Sequence, residues 1–337
     1  MLYVTSPDAF LSKDGENIVV KIEDRDAFRT PIHYLEGIVT FGYKGASPAM
    51  LRMCSDHNVA VSFLTDRGRF LAQLTGPVKG NVLLRRTQYR LADNHEESTR
   101  LSARFIMGKL ANSRNVVRRF ISDHCNPENQ DPFREITCQL ALNLGRLERC
   151  RTVDEIRGIE GESARAYFSV FDDMILCNKE HFYMCGRSKR PPLDNVNALL
   201  SLFYTLLAHE VRAALETVGL DPFVGFLHRD RPGRPSLALD LMEELRAYIA
   251  DRMVLSLINR SQITCGDFVQ KETGGILLKA EGRKTVLEAW QKRKADVITH
   301  PFLEEKIPVG LLPYVQAMLL ARHIRGDLED YPPFFWK

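Results

Sequence analysis

Three acids crowd one helical turn of LALDLMEELR (237–246): Asp240, Glu243 and Glu244. Just upstream, the Pro- and Gly-interrupted loop GFLHRDRPGRP sets His228 beside Arg229, Arg231 and Arg234. Carboxylates three or four apart on a helix project side by side, so Asp240 can pair with Glu243 or with Glu244. Acids near a helix N-terminus are also an ordinary answer to the helix dipole, and that plain reading stands beside the chemical one. A further acid, Glu160 in RGIEGESARAYF, lies between Gly158 and Gly161, where the pattern predicts the start of a helix. Glycines there let backbone and ligand come close. Brought together, Glu160, His228 and a carboxylate from 240–244 make a mixed nitrogen and oxygen donor set. Such a set suits Mn²⁺ or Mg²⁺ better than a thiolate-seeking metal. Arg187, Lys189 and Arg190 in GRSKRPP add cations to those of the His228 loop. Cations around a metal-holding carboxylate cluster fit a polyanionic substrate; a solvated charged loop is the alternative. Tyr167 and Phe168, just after Glu160, can stack on bases or pack in a core.

Other chemistries lack their signatures. The chain has no G-x-x-x-x-G-K-[ST] loop and no G-x-G-x-x-G after a strand, which removes the usual phosphate cradles. HEVRA (209–213) imitates a zinc-protease H-E-x-x-H, but Ala213 stands at the second histidine, so a plain helix surface is expected. Seven scattered cysteines without a C-x-x-C pair read as reduced thiols of a cytosolic protein. The N-terminus lacks the pattern of a signal peptide. The longest strongly apolar run, ALLSLFYTLLA, is 11 residues, too short to span a bilayer. The expectation is a cytoplasmic protein with no membrane partner. Net charge is only +3, yet residues 85–119 hold nine Lys/Arg against three Asp/Glu, so the basic character is local.

These side chains need elements to position them. At 337 residues, length favours two domains. NIVVKI, GIVTFG and VAVSFL read as strands, and FLTDRGRFLAQLTG as a hairpin turning at DRG. Ser47 and Pro48 open a helix as N-cap and first residue. After residue 80 the periodicity turns helical. Ile136, Leu140, Leu144 and Leu147 form one stripe, TVDE (152–155) is a capping box, and Gly219 ends a long apolar helix. Ser236 is the expected N-cap of the acidic helix, with Leu241, Leu245, Ile249 and Met253 as its buried face. The fold class is α+β: a small N-terminal β-sheet, β-sandwich-like domain (1–80), then a larger all-α domain (81–337).

Four separated motifs, GIEGESARAYF, GRSKRPPLDNVNALLSLFYTLL, GLDPFVGFLH and LALDLMEELR, occur in an order that resembles the CRISPR-associated integrase. The N-terminal LYVTSPDAFLSKDGENIVV and PIHYLEGIVTFG resemble that family's β domain, so the likeness spans nearly the whole chain. Its overall flavour resembles the version found with type I-C systems. The resemblance implies a metal-dependent endonuclease that inserts new spacers, a catalytic helical domain, and a homodimer. It further implies two such dimers flanking a dimer of a small ferredoxin-like companion. The family's catalytic glutamate falls on Glu160, its histidine on His228, and its two acids three apart on Asp240 and Glu243. Many members carry Asp where this chain has Glu243, and Glu244 has no counterpart in the motif.

The resulting expectation is that Glu160, His228 and Glu243 ligate Mn²⁺ or Mg²⁺, with Asp240 a ligand or a supporting partner. The 3′-OH of an incoming protospacer strand then attacks a phosphate at the boundary of a CRISPR repeat. Arg187, Lys189, Arg190, Arg229, Arg231 and Arg234 are the candidate DNA contacts. A structure-specific nuclease and a catalytically silent DNA-binding scaffold are the rival readings. The C-terminal YPPFFWK can dock on a partner or fold back on its own core.

Overall fold

The computed structural model describes residues 2–336 apart from 36, 58, 66–69, 75, 77–81, 127, 189 and 273, and residue 70 by its backbone alone. It divides into two compact units: Met1–Lys79 with Asp267–Val269 and Leu277–Glu288, and Gly80–Gly266 with Gln270–Ile276 and Ala289–Lys337.

In the first unit the β-branched runs become β1 (Leu2–Val4), β2 (Phe10–Asp14), β3 (Asn17–Ile22), β4 (Arg25–Pro31), β5 (Gly37–Phe41), β6 (Ala60–Leu64) and β7 (Phe70–Leu74). Helix α1 (Pro48–Asp56) crosses between β5 and β6, which is why these two can pair in parallel. One sheet has the order β1-β5-β6-β7 and a second the antiparallel order β2-β3-β4. Leu11, Ile18 and Val20 from the second sheet share a core with Val4, Ile38 and Val61 of the first and with Met50 and Met53 of α1. Ser47 caps α1, its Oγ accepting from the Met50 N–H at 3.3 Å. β6 and β7 are antiparallel arms, and the DRG turn expected between them lies outside the described residues.

The second unit is mostly helical: α2 (Val82–Asp93), α3 (His95–His124), α4 (Asp131–Leu147), α5 (Val153–Ser169), α6 (Asn195–Val218) and α7 (Ser236–Leu245). A π-helical turn, Arg246–Asp251, leads into α8 (Arg252–Asn259). Strands β8 (Phe268–Gln270) and β9 (Ile276–Leu278) pair and α9 spans Ala280–Ala295, with Asp267–Val269 and Leu277–Glu288 of this stretch counted in the first unit; in the second, β10 (Val297–Thr299) pairs with β11 (Lys306–Pro308), and α10 (Leu312–Arg325) follows. The small N-terminal β region and larger helical region match the α+β class read from the sequence. Long α3 is the axis of this unit, packing on α4, α5 and α7. The predicted stripe is real: Leu140 and Leu147 are buried with Ile106, Leu110, Ile156 and Ile159, and Ile136 and Leu144 pack against them. Gly108 of α3 meets α7 so closely that an added Cβ would lie 2.6 Å from Glu244 Cβ.

The 11-residue apolar run belongs to a longer element. Helix α6 has 24 residues and by length and composition alone could cross a membrane. Here its Leu199, Leu200, Phe203, Leu207 and Val211 are in the interior of the second unit. Its left-handed end is Gly219, at φ 87°.

Candidate active site

Helix α5 begins with the capping box read from the sequence, Thr152 accepting from Glu155 N–H and Glu155 from Thr152 N–H. The helix then runs unbroken through Gly158 and Gly161, so Glu160 lies in mid-helix rather than at a helix start. Two glycines in a helix interior cost stability, but the first turn and the Ile156 and Ile159 contacts hold the segment helical. Helix α7 also begins differently from the expectation. Ser236 is its first helical residue, and its Oγ donates to Arg229 O at 3.3 Å instead of capping. That bond ties the base of the basic loop to the start of the acidic helix.

The acids of α7 part company. Asp240 is fully buried and faces the loop before it. Its Oδ2 accepts the Phe226 and Leu227 N–H groups at 2.6 and 3.0 Å; its Oδ1 accepts His228 N–H at 3.0 Å and meets His228 Nδ1 at 2.6 Å. Gly225 makes this approach possible, since a Cβ there would lie 2.7 Å from Asp240 Oδ2. A carboxylate only accepts, so Nδ1 carries a proton toward Asp240 and Nε2 is the ring nitrogen that Asp240 does not engage.

Glu243 turns the other way. Its Oε1 lies 2.8 Å from Arg246 Nη1 and its Oε2 2.8 Å from Lys109 Nζ on α3. The same ammonium pairs with Glu160 Oε1 on α5. Burial pushes the Glu243 carboxyl up, but Arg246, Lys109 and His228 overcome it and hold it at about 2. Burial likewise opposes the Lys109 charge, and Glu243 with Glu160 reverses that and raises its pKa. Glu160 and Glu243, from α5 and α7, thus share one ammonium, and His228, from the loop before α7, lies close enough to act on Glu243.

Glu244 points into the core. It accepts from the Tyr331 hydroxyl, from Gln316 Nε2 at 3.1 Å and from Phe334 N–H at 2.7 Å, so it fixes the C-terminal segment. Residues 331–336 of the C-terminal tail therefore fold back on their own unit, where Tyr331 and Phe334 are buried and Asn112 bonds Phe334 O and Trp336 N–H.

A cavity of about 660 Å³ opens beside the ammonium, with Lys109, Glu160, Arg187, Tyr204, Arg246 and Asp251 among its walls. Arg187 and Arg246 lie over the Tyr204 ring at 5.2 and 5.0 Å, and the Tyr204 hydroxyl donates to Asp251 Oδ1 at 2.7 Å. Burial raises the Asp251 pKa to about 6 against the pull of these partners. Arg187 is thus drawn inward, onto Asn197 Oδ1 at 2.6 Å, rather than standing on a loop surface. Arg190, Arg229 and Arg231 are exposed, Arg234 is half-buried, and Lys189 lies outside the described residues. Arg229 reaches Asp154 at 3.2 Å. Tyr167 is buried against Phe168 and Phe171, the core reading, while its ring still borders the cavity. In HEVRA, Glu210 is buried and accepts from Trp290 Nε1 at 3.0 Å and Lys294 Nζ at 2.8 Å, so it is a packing residue and not a helix surface.

Two members of the cluster escaped the motif reading, Lys109 and Arg246. Lys109 carries a readable signal: it falls on the buried stripe of α3, between Phe105 and Ile106 on one side and Asn112 and Ser113 on the other. A lysine on such a stripe requires a buried partner.

The donors suit a hard divalent cation: two carboxylates and an imidazole nitrogen. Glu243 Oε2, although 2.8 Å from Lys109 Nζ, is off the direction of a hydrogen bond and is left without one. Among the described residues, no three His, Cys, Asp or Glu side chains converge tightly enough to ligate one ion; the positive charge between the carboxylates is that of Lys109.

The family described as CRISPR associated protein Cas1 matches residues 2–292. A CRISPR-associated endonuclease Cas1 of Chlorobaculum tepidum is 52% identical over 336 residues, covering 100% of this chain and 98% of its own. One from Rhodospirillum rubrum is 48% identical over 340 residues, with 100% and 98% covered. Among solved structures, a casposase bound to integration product superposes with a TM-score of 0.85 at 24% identity, covering 100% of this chain and 94% of that one. A Cas1 protein from Thermotoga maritima gives 0.81 at 21%, with 100% and 99% covered. At those identities the structural likeness speaks for the fold.

Proposed function

Because this chain belongs to the Cas1 family of CRISPR-associated proteins, whose curated relatives are named endonucleases, we propose that it is a metal-dependent DNA integrase of spacer acquisition, working in the cytoplasm. The observation that carries this reading is the meeting of Glu160 and Glu243, from two helices, at one cation beside a basic cavity, with His228 fixed alongside by Asp240.

Glu160, Glu243 and the His228 Nε2 would hold Mg²⁺ or Mn²⁺. When bound, the ion supplies Lewis acidity at a phosphoryl oxygen and lowers the pKa of an attacking hydroxyl. The chain's own residues do the rest. Asp240, spent on three backbone N–H groups and on His228 Nδ1, keeps the imidazole in one tautomer and orientation, a positioning role. Arg246 and Lys109 keep Glu243 ionised, ready to bind a cation at any pH above its depressed pKa. Arg187 and Arg246 line the cavity, and among the described residues their Nε atoms have no hydrogen-bond partner, so their guanidiniums would serve as cations toward a phosphate there. Exposed Arg190, Arg229 and Arg231, with half-buried Arg234, add sequence-independent phosphate contacts. The reaction is attack by the 3′-OH of a protospacer strand on a repeat-boundary phosphate; with water as nucleophile the same site is an endonuclease. The motif resemblance extends the proposal to a homodimer, two of which flank a dimer of a small ferredoxin-like companion, in a type I-C setting.

A strand-transfer assay tests it. The protein is mixed with a labelled duplex bearing free 3′-OH ends and a supercoiled repeat-containing plasmid, with Mn²⁺ or EDTA. Joining that needs Mn²⁺ and vanishes in Glu160→Gln and His228→Ala supports the reading. Nicking without joining, with the companion present, reduces the protein to a nuclease. Joining that survives EDTA and both substitutions overturns it.

A further inference from the structure

The Glu160–Lys109–Glu243 cluster holds a charge arrangement that the proposed chemistry does not itself require. An integrase needs carboxylates to bind a cation, yet here both carboxylates are already bridged by an ammonium from the same chain. Two of the three groups are nearly out of solvent: the side chains of Lys109, Glu160 and Glu243 are 13%, 29% and 3% exposed. Without Lys109, two anions would face each other in a low-dielectric site before any metal arrived, an arrangement that is costly to fold. A divalent ion drawn to the same oxygens must meet the Lys109 charge there. Lys109 Nζ takes the position between the two carboxylates that a cation shared by them would need, so the ammonium and the ion compete for it.

The fold offers the displaced ammonium a place to go. Lys109 borders the cavity of about 660 Å³ and is carried on four rotatable side-chain bonds, whereas its backbone is locked in mid-α3. Lys109 Nζ donates to Glu160 and lies 2.8 Å from Glu243 Oε2 as an ion pair, so its hold on the cluster rests on these two carboxylates. Arg246 differs: it sits over the Tyr204 ring and pairs with the other oxygen of Glu243, so it can remain while Lys109 leaves.

Resting on the metal-site reading above, we propose that Lys109 is a place-holder for the divalent cation. Its ammonium holds Glu160 and Glu243 together in the metal-free protein, competes with the metal for them, and moves into the adjoining cavity when the metal binds. There it faces the space where a substrate phosphate would lie. Metal affinity is thereby set lower than the donors alone would give.

The test is Mn²⁺ binding to the full-length chain, read by the electron paramagnetic resonance signal of free Mn²⁺, with melting measured in EDTA and in Mn²⁺. Lys109→Met is expected to bind Mn²⁺ about tenfold more tightly, the size of effect a close like charge exerts. It should also melt lower than the parent in EDTA and gain more from Mn²⁺. Lys109→Arg, which keeps the charge, should bind no more tightly than the parent; this variant decides if Lys109→Met does not fold without metal. In the parent, Mn²⁺ should increase the labelling of Lys109 by an amine-reactive reagent. Equal or weaker Mn²⁺ binding by folded Lys109→Met, or tighter binding by Lys109→Arg, overturns the place-holder and leaves a positioning residue. Glu160→Gln and Glu243→Gln separate the two claims. If both retain parental Mn²⁺ binding, the metal-site reading itself fails; if both lose it while Lys109→Met gains nothing, only the place-holder does.

Discussion

Glu243 and Glu244 are neighbours on α7, identical in type and both buried, and their surroundings drive them to opposite states. Glu243 faces Arg246, Lys109 and His228 and is held at about 2; Glu244 faces a phenol, an amide and a backbone N–H and is pushed up to about 7. Burial acts on both in the same direction. What separates them is that one set of partners carries charge and the other only dipoles. Formal positive charges offset the desolvation of an anion; neutral donors do so in part. One turn of helix thus supplies an ionised carboxylate to the candidate site and one that titrates near pH 7 to the lock on the C-terminal segment.

The largest effect should come from removing the charge on the first side. Glu243→Leu leaves Lys109 with Glu160 alone and takes from Arg246 its carboxylate partner, and breaking a buried pair in this way costs roughly 3–5 kcal/mol. Chemical denaturation checks this, and the double substitution Lys109→Met/Glu243→Leu should recover a substantial part of the loss. A double-variant loss equal to the sum of the two single losses would mean that the pair is not coupled.

The second side is expected to show itself in pH. A carboxyl raised from 4.5 to about 7 binds its proton more readily when folded. The Glu244 contribution therefore weakens stability as pH rises from about 4.5 to 7 and is constant above. The Glu243 contribution has the opposite sign: it is complete above 4.5 and is lost as pH falls toward 2. Glu244→Gln should flatten the decline between pH 5 and 7, worth roughly 1–3 kcal/mol, in urea titrations at the two pH values. A decline unchanged by the substitution would place its origin elsewhere. More modestly, Tyr331→Phe removes one donor from Glu244 and should cost about 1 kcal/mol, while raising the Glu244 pKa further.

The sequence reading went furthest where a local rule decides. The Ser47 cap, the Thr152 capping box, the α4 stripe and the Gly219 stop all stand as read, because each depends on residues within one or two turns. It went astray where distant partners decide. Glu160 looked like a helix-start acid because glycines flank it, but packing of Ile156 and Ile159 carries the helix through. Ser236 has the right chemistry to cap, yet Arg229 O takes its hydroxyl. In the candidate site, the four acids and bases could be named from motifs, but Lys109, some fifty residues upstream of Glu160, could not. Its pairing exists only because α3 packs against both α5 and α7. Arg187 was grouped with the loop cations since sequence cannot show that Asn197 and Tyr204 pull it inside.

That distinction between buried and exposed cations yields the smallest stability effect and the sharpest discrimination. Arg229 is 71% exposed, and its contact with Asp154 at 3.2 Å is in open solvent, where an ion pair contributes little. Arg229→Ala and Arg231→Ala should each change stability by less than about 0.5 kcal/mol. If these arginines meet phosphates, each substitution should weaken DNA binding evenly across sequences. Each should also lower the slope of log affinity against log salt by about one. Arg187→Ala should behave otherwise, since its guanidinium supports Asn197 and the Tyr204 ring: a measurable loss of stability accompanies any loss of affinity. Fluorescence anisotropy on a short duplex across a salt series, paired with melting curves, separates the classes. An Arg229 variant with an unchanged salt slope would remove the basic loop from the DNA path. The buried arginines around the cavity would then be the phosphate contacts of the site.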